Sequence, residues 1–234
     1  MEKPILATTL SGLFIKQEPW DKAHILWYEK AADKLKDNSI KKWAKKPDYF
    51  KGVDEVMQRL YPKLPEADRT KKAREMFFNS VLQDIKENPK VKNEQIIKYF
   101  ESLKKEYQIA LITTNTQSAL ERILSTTGLV GLFDLIETSK PEEKDDKKVV
   151  FNRFIKKYGK PILYIGGNKK DSFEYCQENN IPCVFANLEN SEEINRIKSI
   201  HNLKELKLLF DTIQNYLRKK EIDNGLTVSK YLDI

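Results

Sequence analysis

The run Tyr164-Ile165-Gly166-Gly167-Asn168-Lys169-Lys170-Asp171 has the order of a buried strand end, a tight glycine turn of the phosphate-binding type and a helix start. Metal-assisted chemistry on a phosphoryl group asks such a turn for a pair of carboxylates, because magnesium takes oxygen ligands, commonly one or two of them from acids. Only Asp171 is present in the run; Gly167 stands where the other acid would be, and no neighbour resupplies it. A second run, Leu111-Ile112-Thr113-Thr114-Asn115, ends an apolar stretch in hydroxyl and amide side chains ahead of a helical pattern. Hydroxyls and free N–H groups at a helix N-terminus make an anion receptor that needs no nucleophile. The same residues also read as a plain N-cap supplied by Thr114, Asn115 or Thr116.

These runs need elements to hold them. Ile5 to Thr9 is apolar and β-branched and stops at Ser11-Gly12, which predicts a first strand entering a turn. From Glu18 to Asn88 the spacing is helical, with apolar sets Ile25, Leu26, Ala32, Leu35, then Val53, Val56, Met57, Leu60, then Ala73, Met76, Phe77, Val81, Ile85. Beyond Pro89 helix and strand alternate. Strands are predicted at 109–113, 133–136, 162–165 and 183–186, and helices at 93–106, 117–125, 147–158 and 171–178. An amphipathic last helix spans 203–217, with Asn202 as N-cap and Glu205 as its reciprocal partner. The pattern predicts an α/β fold: a Rossmann-like parallel sheet with helices on both faces and an inserted all-helical cap. The core is placed at residues 1–16 and 89–218, the cap at 17–88 and a C-terminal tail at 219–234. In such sheets ligands gather beyond the carboxyl ends of the strands, here the turns after Thr9, Thr113, Ile136 and Ile165.

Composition narrows the classes. The chain has 234 residues, 40% of them hydrophobic and 10% aromatic, sufficient for one core and a smaller subdomain. No apolar run is long enough for a membrane-spanning helix and the start lacks a secretory pattern, so the expectation is a cytoplasmic protein without membrane attachment. Two cysteines, Cys176 and Cys183, and two histidines, His24 and His201, are poor material for a disulfide framework or a zinc site. A net charge of +7 permits attraction to polyanions. The densest basic stretch, Lys41-Lys42-Trp43-Ala44-Lys45-Lys46 followed by Tyr49, Phe50 and Lys51, reads either as a nucleic-acid surface or as a solvated helix end whose Trp43 and Phe50 face the core. The second reading is favoured.

The four turns resemble the four motifs of the haloacid dehalogenase superfamily of phosphohydrolases, with a helical cap inserted after the first. The resemblance implies an aspartate nucleophile and a second acid in a pattern Asp-x-Asp-Gly-Thr. Here the matching run is Thr8-Thr9-Leu10-Ser11-Gly12, with Thr8 and Leu10 taken as the positions of the lost acids and Gly167 as that of a lost metal ligand. The Thr114-Asn115 pair is similar to the family's phosphoryl-binding pair. Ser139-Lys140-Pro141 is similar to the lysine that neutralises phosphate, although Lys144, Lys147 and Lys148 interleave with Glu142, Glu143, Asp145 and Asp146 just beyond it and a solvated charge run is the other reading. Asp171 matches the surviving acid of the fourth motif, and with Glu174 it also reads as a helix cap. A threonine hydroxyl is protonated at neutral pH and lacks an adjacent base, so the resemblance implies a scaffold without its covalent chemistry. The expectation is therefore a catalytically inactive member with a binding or scaffolding role. Its ligand candidates are Thr114, Asn115, Lys140 and Asp171, it has no metal ligands and weak or absent magnesium binding, and its partner is a protein or a phosphorylated small molecule. The enzymatic alternative is a hydrolase using rearranged residues such as Asp21, Asp145 or Asp171; the other alternative is polyanion binding through residues 41 to 51.

Overall fold

The computed structural model describes residues 3–45, 49–167 and 169–222. Six parallel strands form one sheet: β1 (Ile5–Thr8), β2 (Gln108–Thr116), β3 (Leu135–Ser139), β4 (Leu163–Gly166), β5 (Cys183–Ala186) and β6 (Ser199–Ile200), in the order β3-β2-β1-β4-β5-β6. The first strand lies in the middle, pairing Leu6 with Ile109 on one side and with Leu163 on the other. The order reverses between β1 and β4, and the crevice for a ligand opens at such a reversal.

Alternation along these strands builds two cores. Leu6, Ile109, Leu111, Leu163 and Ile165 point to one face, where α4 (Glu94–Leu103), α5 (Gln117–Thr127) and α8 (Leu203–Ile222) bring Phe100, Ile123 and Phe210. Ala7, Ala110, Ile112, Tyr164 and Phe185 point to the other, against Val150, Phe151 and Phe154 of α6 (Lys147–Tyr158) and Phe173 and Cys176 of α7 (Lys170–Glu178). Both faces are covered, which is why the strands are apolar at nearly every position. Cys176 and Cys183 are free, buried thiols.

Between β1 and β2 lie the inserted helices α1 (Glu18–Leu35), α2 (Tyr49–Leu60) and α3 (Glu66–Glu87), with a short 3-10 segment at Asn38–Lys45. The chain leaves and re-enters the core at one seam, where the Lys16 amide donates to the Val91 carbonyl at 2.8 Å and the Asn93 amide to that of Phe14 at 2.9 Å. The buried face of α1 differs from the predicted one. Ile25 and Leu26 are exposed, and the stripe that packs is Trp20, Ala23, Trp27, Tyr28 and Ala31. Two large aromatics outweigh two aliphatics in apolar area removed from water, and they rotate the helix accordingly.

Other differences are local. Strand β3 begins two residues later than predicted and β6 was not predicted; a two-residue strand carries no alternation to read. Asn202 does cap α8, accepting from the Glu205 amide at 3.0 Å while Glu205 accepts from the His201 amide at 2.8 Å. That helix continues to Ile222, through the first residues assigned to a separate tail; 223–234 lie outside the described residues. Among the described residues no helix is long and apolar enough to cross a membrane.

Candidate functional site

A cavity of about 660 Å³ sits beyond the strand tips and under the inserted helices. Its floor comes from the turn after β1 (Thr9 and Ser11), the carboxyl end of β2 (Thr113, Thr114 and Asn115), the loop after β3 and the start of α6 (Asp145 and Lys147), and the turn after β4 with the start of α7 (Gly167, Lys169 and Asp171). Its roof comes from the helices above, with Trp20, Asp21 and His24 of α1 and Arg74, Phe77 and Phe78 of α3. A cleft of this size with an apolar roof and convergent polar groups suits one small ligand.

The structure shifts the first motif by one residue. Thr8 is fully buried and spends its hydroxyl on the Ala110 carbonyl at 2.8 Å, and Leu10 belongs to the hydrophobic core, so neither faces the cleft. The residues that do are Thr9 and Ser11, followed by Gly12 in a left-handed conformation at φ 77°. Thr8 and Leu10 are therefore corrected to Thr9 and Ser11 as the cleft positions of that run. The reason is alternation: in and just after a strand, successive side chains go to opposite sides, and one step in register moves a residue from cleft to core.

Gly167 lies against the same turn. A Cβ built there would stand far inside van der Waals contact with the Ser11 carbonyl oxygen, 3.3 Å from its carbon and 3.4 Å from the Gly12 Cα. The obstacle is backbone and cannot swing aside. The turn after β1 thus occupies the space a side chain at 167 would need.

The third motif is also re-placed. Lys140 is exposed, lies outside the cavity lining, and its amide donates to Glu143 at 2.9 Å; Glu143 is in turn held by Arg153 at 2.5 Å. Among the lysines of this segment, 140, 144, 147 and 148, the one that lines the cleft is Lys147, the first residue of α6, only 2% exposed. It heads the helix's buried stripe of Val150, Phe151 and Phe154, while Asp146 caps the helix by accepting from the Lys148 amide at 2.8 Å. Its ammonium donates to the Ile112 carbonyl. Burial, reinforced by the charge of Lys169, pushes Lys147 down to about 7.

The remaining charges form a network. Lys169 pairs with Asp145 at 2.7 Å and stands 4.0 Å from Asp171. Desolvation opposes a charged Asp145, yet Lys169, the Thr114 hydroxyl and Arg74 together hold its carboxyl below the ordinary range. For Asp171 burial wins and raises the carboxyl, against the pull of Lys169 and Lys147. It does not cap α7, whose N-cap is Lys169, and its Oδ1 is buried without a hydrogen bond. Arg74 reaches down from α3 to the carbonyls of Thr114 and, at 3.0 Å, Glu143. Burial pushes His24, edge-on to Phe77 at 5.0 Å, down to about 4.

Of the four ligand candidates, Thr114, Asn115 and Asp171 line the cavity and Lys140 does not. Asn168 lies outside the described residues, as do residues 46–48 of the basic stretch. Within that stretch Lys41 and Lys42 are exposed, and Trp43 packs edge-on to Tyr28 at 6.4 Å. The sequence reading did not single out Arg74, His24 or Lys169. Arg74 carried a signal, however: it stands on the stripe 74, 77, 78, 81, and a charge on a helix's buried face needs a reason to be there.

The donor set does not fit a magnesium ion. Asp171 is the single carboxylate of the fourth motif, a lysine stands beside it, and the first motif offers hydroxyls in place of acids. Among the described residues no three His, Cys, Asp or Glu side chains gather closely enough to hold a metal.

A central-strand-first parallel sheet, a crevice at its order reversal and a helical insertion roofing it define the capped Rossmann-like class of hydrolase scaffolds. The sequence profile of haloacid dehalogenase-like hydrolases matches residues 52–186, more than half of the chain, and the protein belongs to that family. The match begins after the first motif run. Among solved structures, the fold resembles a haloacid dehalogenase phosphatase from Thermococcus onnurineus (TM-score 0.60, 16% identity, 88% of this chain and 97% of that one). It also resembles a β-phosphoglucomutase from Clostridium difficile (0.59, 16%, 92% and 99%). A haloacid dehalogenase-like family hydrolase from Streptococcus pneumoniae is similar too (0.56, 15%, 89% and 98%). Comparison with curated proteins finds no significant match.

Proposed function

We propose that this chain is a member of its family without phosphohydrolase chemistry, one that holds an anionic small molecule, a phosphorylated metabolite above all, under the inserted helices. The observation that carries this reading is the contact between Gly167 and the turn after β1: the volume of the missing acid is filled by the Ser11 carbonyl, so the site is rebuilt and not merely short of one side chain. Thr9 and Ser11 supply no carboxylate nucleophile, and losses within a cooperating catalytic set cost on the order of 10⁴- to 10⁶-fold. What remains suits binding. Hydroxyls of Thr9, Ser11 and Thr114, the Asn115 amide and the ammonium of Lys169 converge on one cavity.

A second reading keeps hydrolysis with rearranged acids, and the presence of Asp21, Asp145 and Asp171 around the same cavity favours it. One experiment separates the two. Purified protein is assayed with magnesium on p-nitrophenyl phosphate and acetyl phosphate, and titrated calorimetrically with phosphate monoesters. Heat of binding without turnover is the expected result. Turnover that disappears in Asp171→Asn overturns it.

A further inference from the structure

Lys147 is a buried lysine whose single hydrogen bond among the described residues goes to a neutral acceptor, the Ile112 carbonyl. No carboxylate lies within ion-pair distance of it among those residues: the adjacent Asp146 caps α6 through the Lys148 amide, and Asp145 is taken by Lys169 at 2.7 Å. An ammonium withdrawn from water with no counter-ion in contact is costly, and the group escapes that cost by giving up its proton. Burial and the neighbouring Lys169 cation favour the free amine; Asp171, Asp145 and Cys176 favour the ammonium, and the balance lies near neutrality. Its side chain is part of the cavity lining. A desolvated lysine beside a second cation is the arrangement that turns an amine into a nucleophile toward carbonyl carbon.

The rest of the cavity says what else the ligand carries. Trp20, Phe77 and Phe78 offer an aromatic roof, and Lys169 with the hydroxyls of Thr9 and Thr114 offers donors for an anion. We propose that the cavity takes an aldehyde or ketone bearing an anionic arm and an apolar or aromatic body, and captures it reversibly as an imine on Lys147 Nζ. The anionic arm rests on the reading of the cleft as an anion pocket; the imine does not. The amine nitrogen adds to the carbonyl carbon and a C–N bond forms. The two protons leaving nitrogen go to the carbonyl oxygen, the C–O bond breaks, and water departs. No oxidant or metal enters the step.

The test uses the full chain at pH 7 with pyridoxal 5′-phosphate, an aromatic aldehyde phosphate, at substoichiometric ratio, followed by borohydride reduction and peptide mapping. Lys147 is expected to carry the reduced adduct about ten-fold or more over exposed Lys41 and Lys42, because near pH 7 about half of Lys147 is the free amine that adds to a carbonyl. A merely structural lysine, shielded from reagent, would be among the least modified. Label spread over exposed lysines with Lys147 unmodified overturns the proposal. Lys147→Met should abolish the preferred adduct with the circular dichroism unchanged; if that variant does not fold, the wild-type map alone decides. Excess inorganic phosphate should slow the labelling. Undiminished labelling of Lys147 in phosphate overturns the anion pocket and leaves the imine standing.

Discussion

At position 167 the question is whether chemistry can be put back by one substitution. The Ser11 carbonyl oxygen fills the place of a Cβ there, so Gly167→Asp has to push backbone, not side chain. We expect Gly167→Asp to remain without phosphatase activity on p-nitrophenyl phosphate, alone or combined with Thr9→Asp and Ser11→Asp. Forcing atoms into a packed site costs roughly 1–3 kcal/mol, which a urea denaturation curve reads directly. Magnesium-dependent turnover by the triple variant would show that the turn after β1 yields easily, and the filled-site account would be lost. What was legible here is instructive. The absence of an acid at 167 was read from sequence alone, but the contact that makes the absence hard to reverse depends on a turn 156 residues away. Thr8 and Leu10 were misplaced because a motif fixes spacing while strand alternation fixes facing, and the two differ by one residue. Lys147 could have been found: it sits at the head of the stripe 147, 150, 151, 154, where a lysine interrupts an apolar face.

The elements divide the labour between α3 and the sheet. Arg74 bridges them, donating to the Thr114 and Glu143 carbonyls, and so ties the inserted helices to the tip of β2 and to the loop before α6. Removing it leaves two part-buried carbonyls without their charged donor. With hydrogen bonds to charged groups worth about 1.5–3 kcal/mol each, Arg74→Ala should destabilise by roughly 2–4 kcal/mol and raise amide exchange along α3 ahead of β1 and β2. Arg74→Lys should recover only part of this, since one ammonium does not reproduce a fork aimed at two carbonyls. Uniform loss of protection across sheet and insertion would count against Arg74 as a local tie between α3 and the sheet. The strands and most core helices were readable because their apolar residues recur with a clear pattern; α6 falls where helical spacing puts it, while β2 contains the predicted 109–113 and runs on to Thr116, through the polar residues read as a turn. Strand β6 and the true face of α1 were not. The first is too short to carry a period, and the second turns on Trp27 and Tyr28 winning the interior from Ile25 and Leu26.

For the whole molecule, two buried bases set how stability responds to pH. His24 titrates near 4 in the fold and near 6.5 unfolded, and Lys147 near 7 against 10.5. Both folded values are depressed, so in each window the unfolded chain binds more protons than the folded one and stability rises with pH. The windows are 4 to 6.5 for His24 and 7 to 10.5 for Lys147; below the lower end of each the destabilisation is complete, and above the upper end it is gone. Burial raises Tyr99 and Tyr107 to about 12, which works the other way above pH 10, so the measurement belongs below about pH 9.5. Chemical denaturation should give a free energy that climbs between pH 5 and pH 6.5 and again between pH 7 and pH 9, each by on the order of 1–3 kcal/mol. His24→Phe should flatten the first rise and leave the second, and Lys147→Met should do the reverse. A single flat plateau from pH 7 to pH 9 in the wild type would mean that Lys147 keeps its proton in the fold, and the nucleophile drawn from it would go with that result.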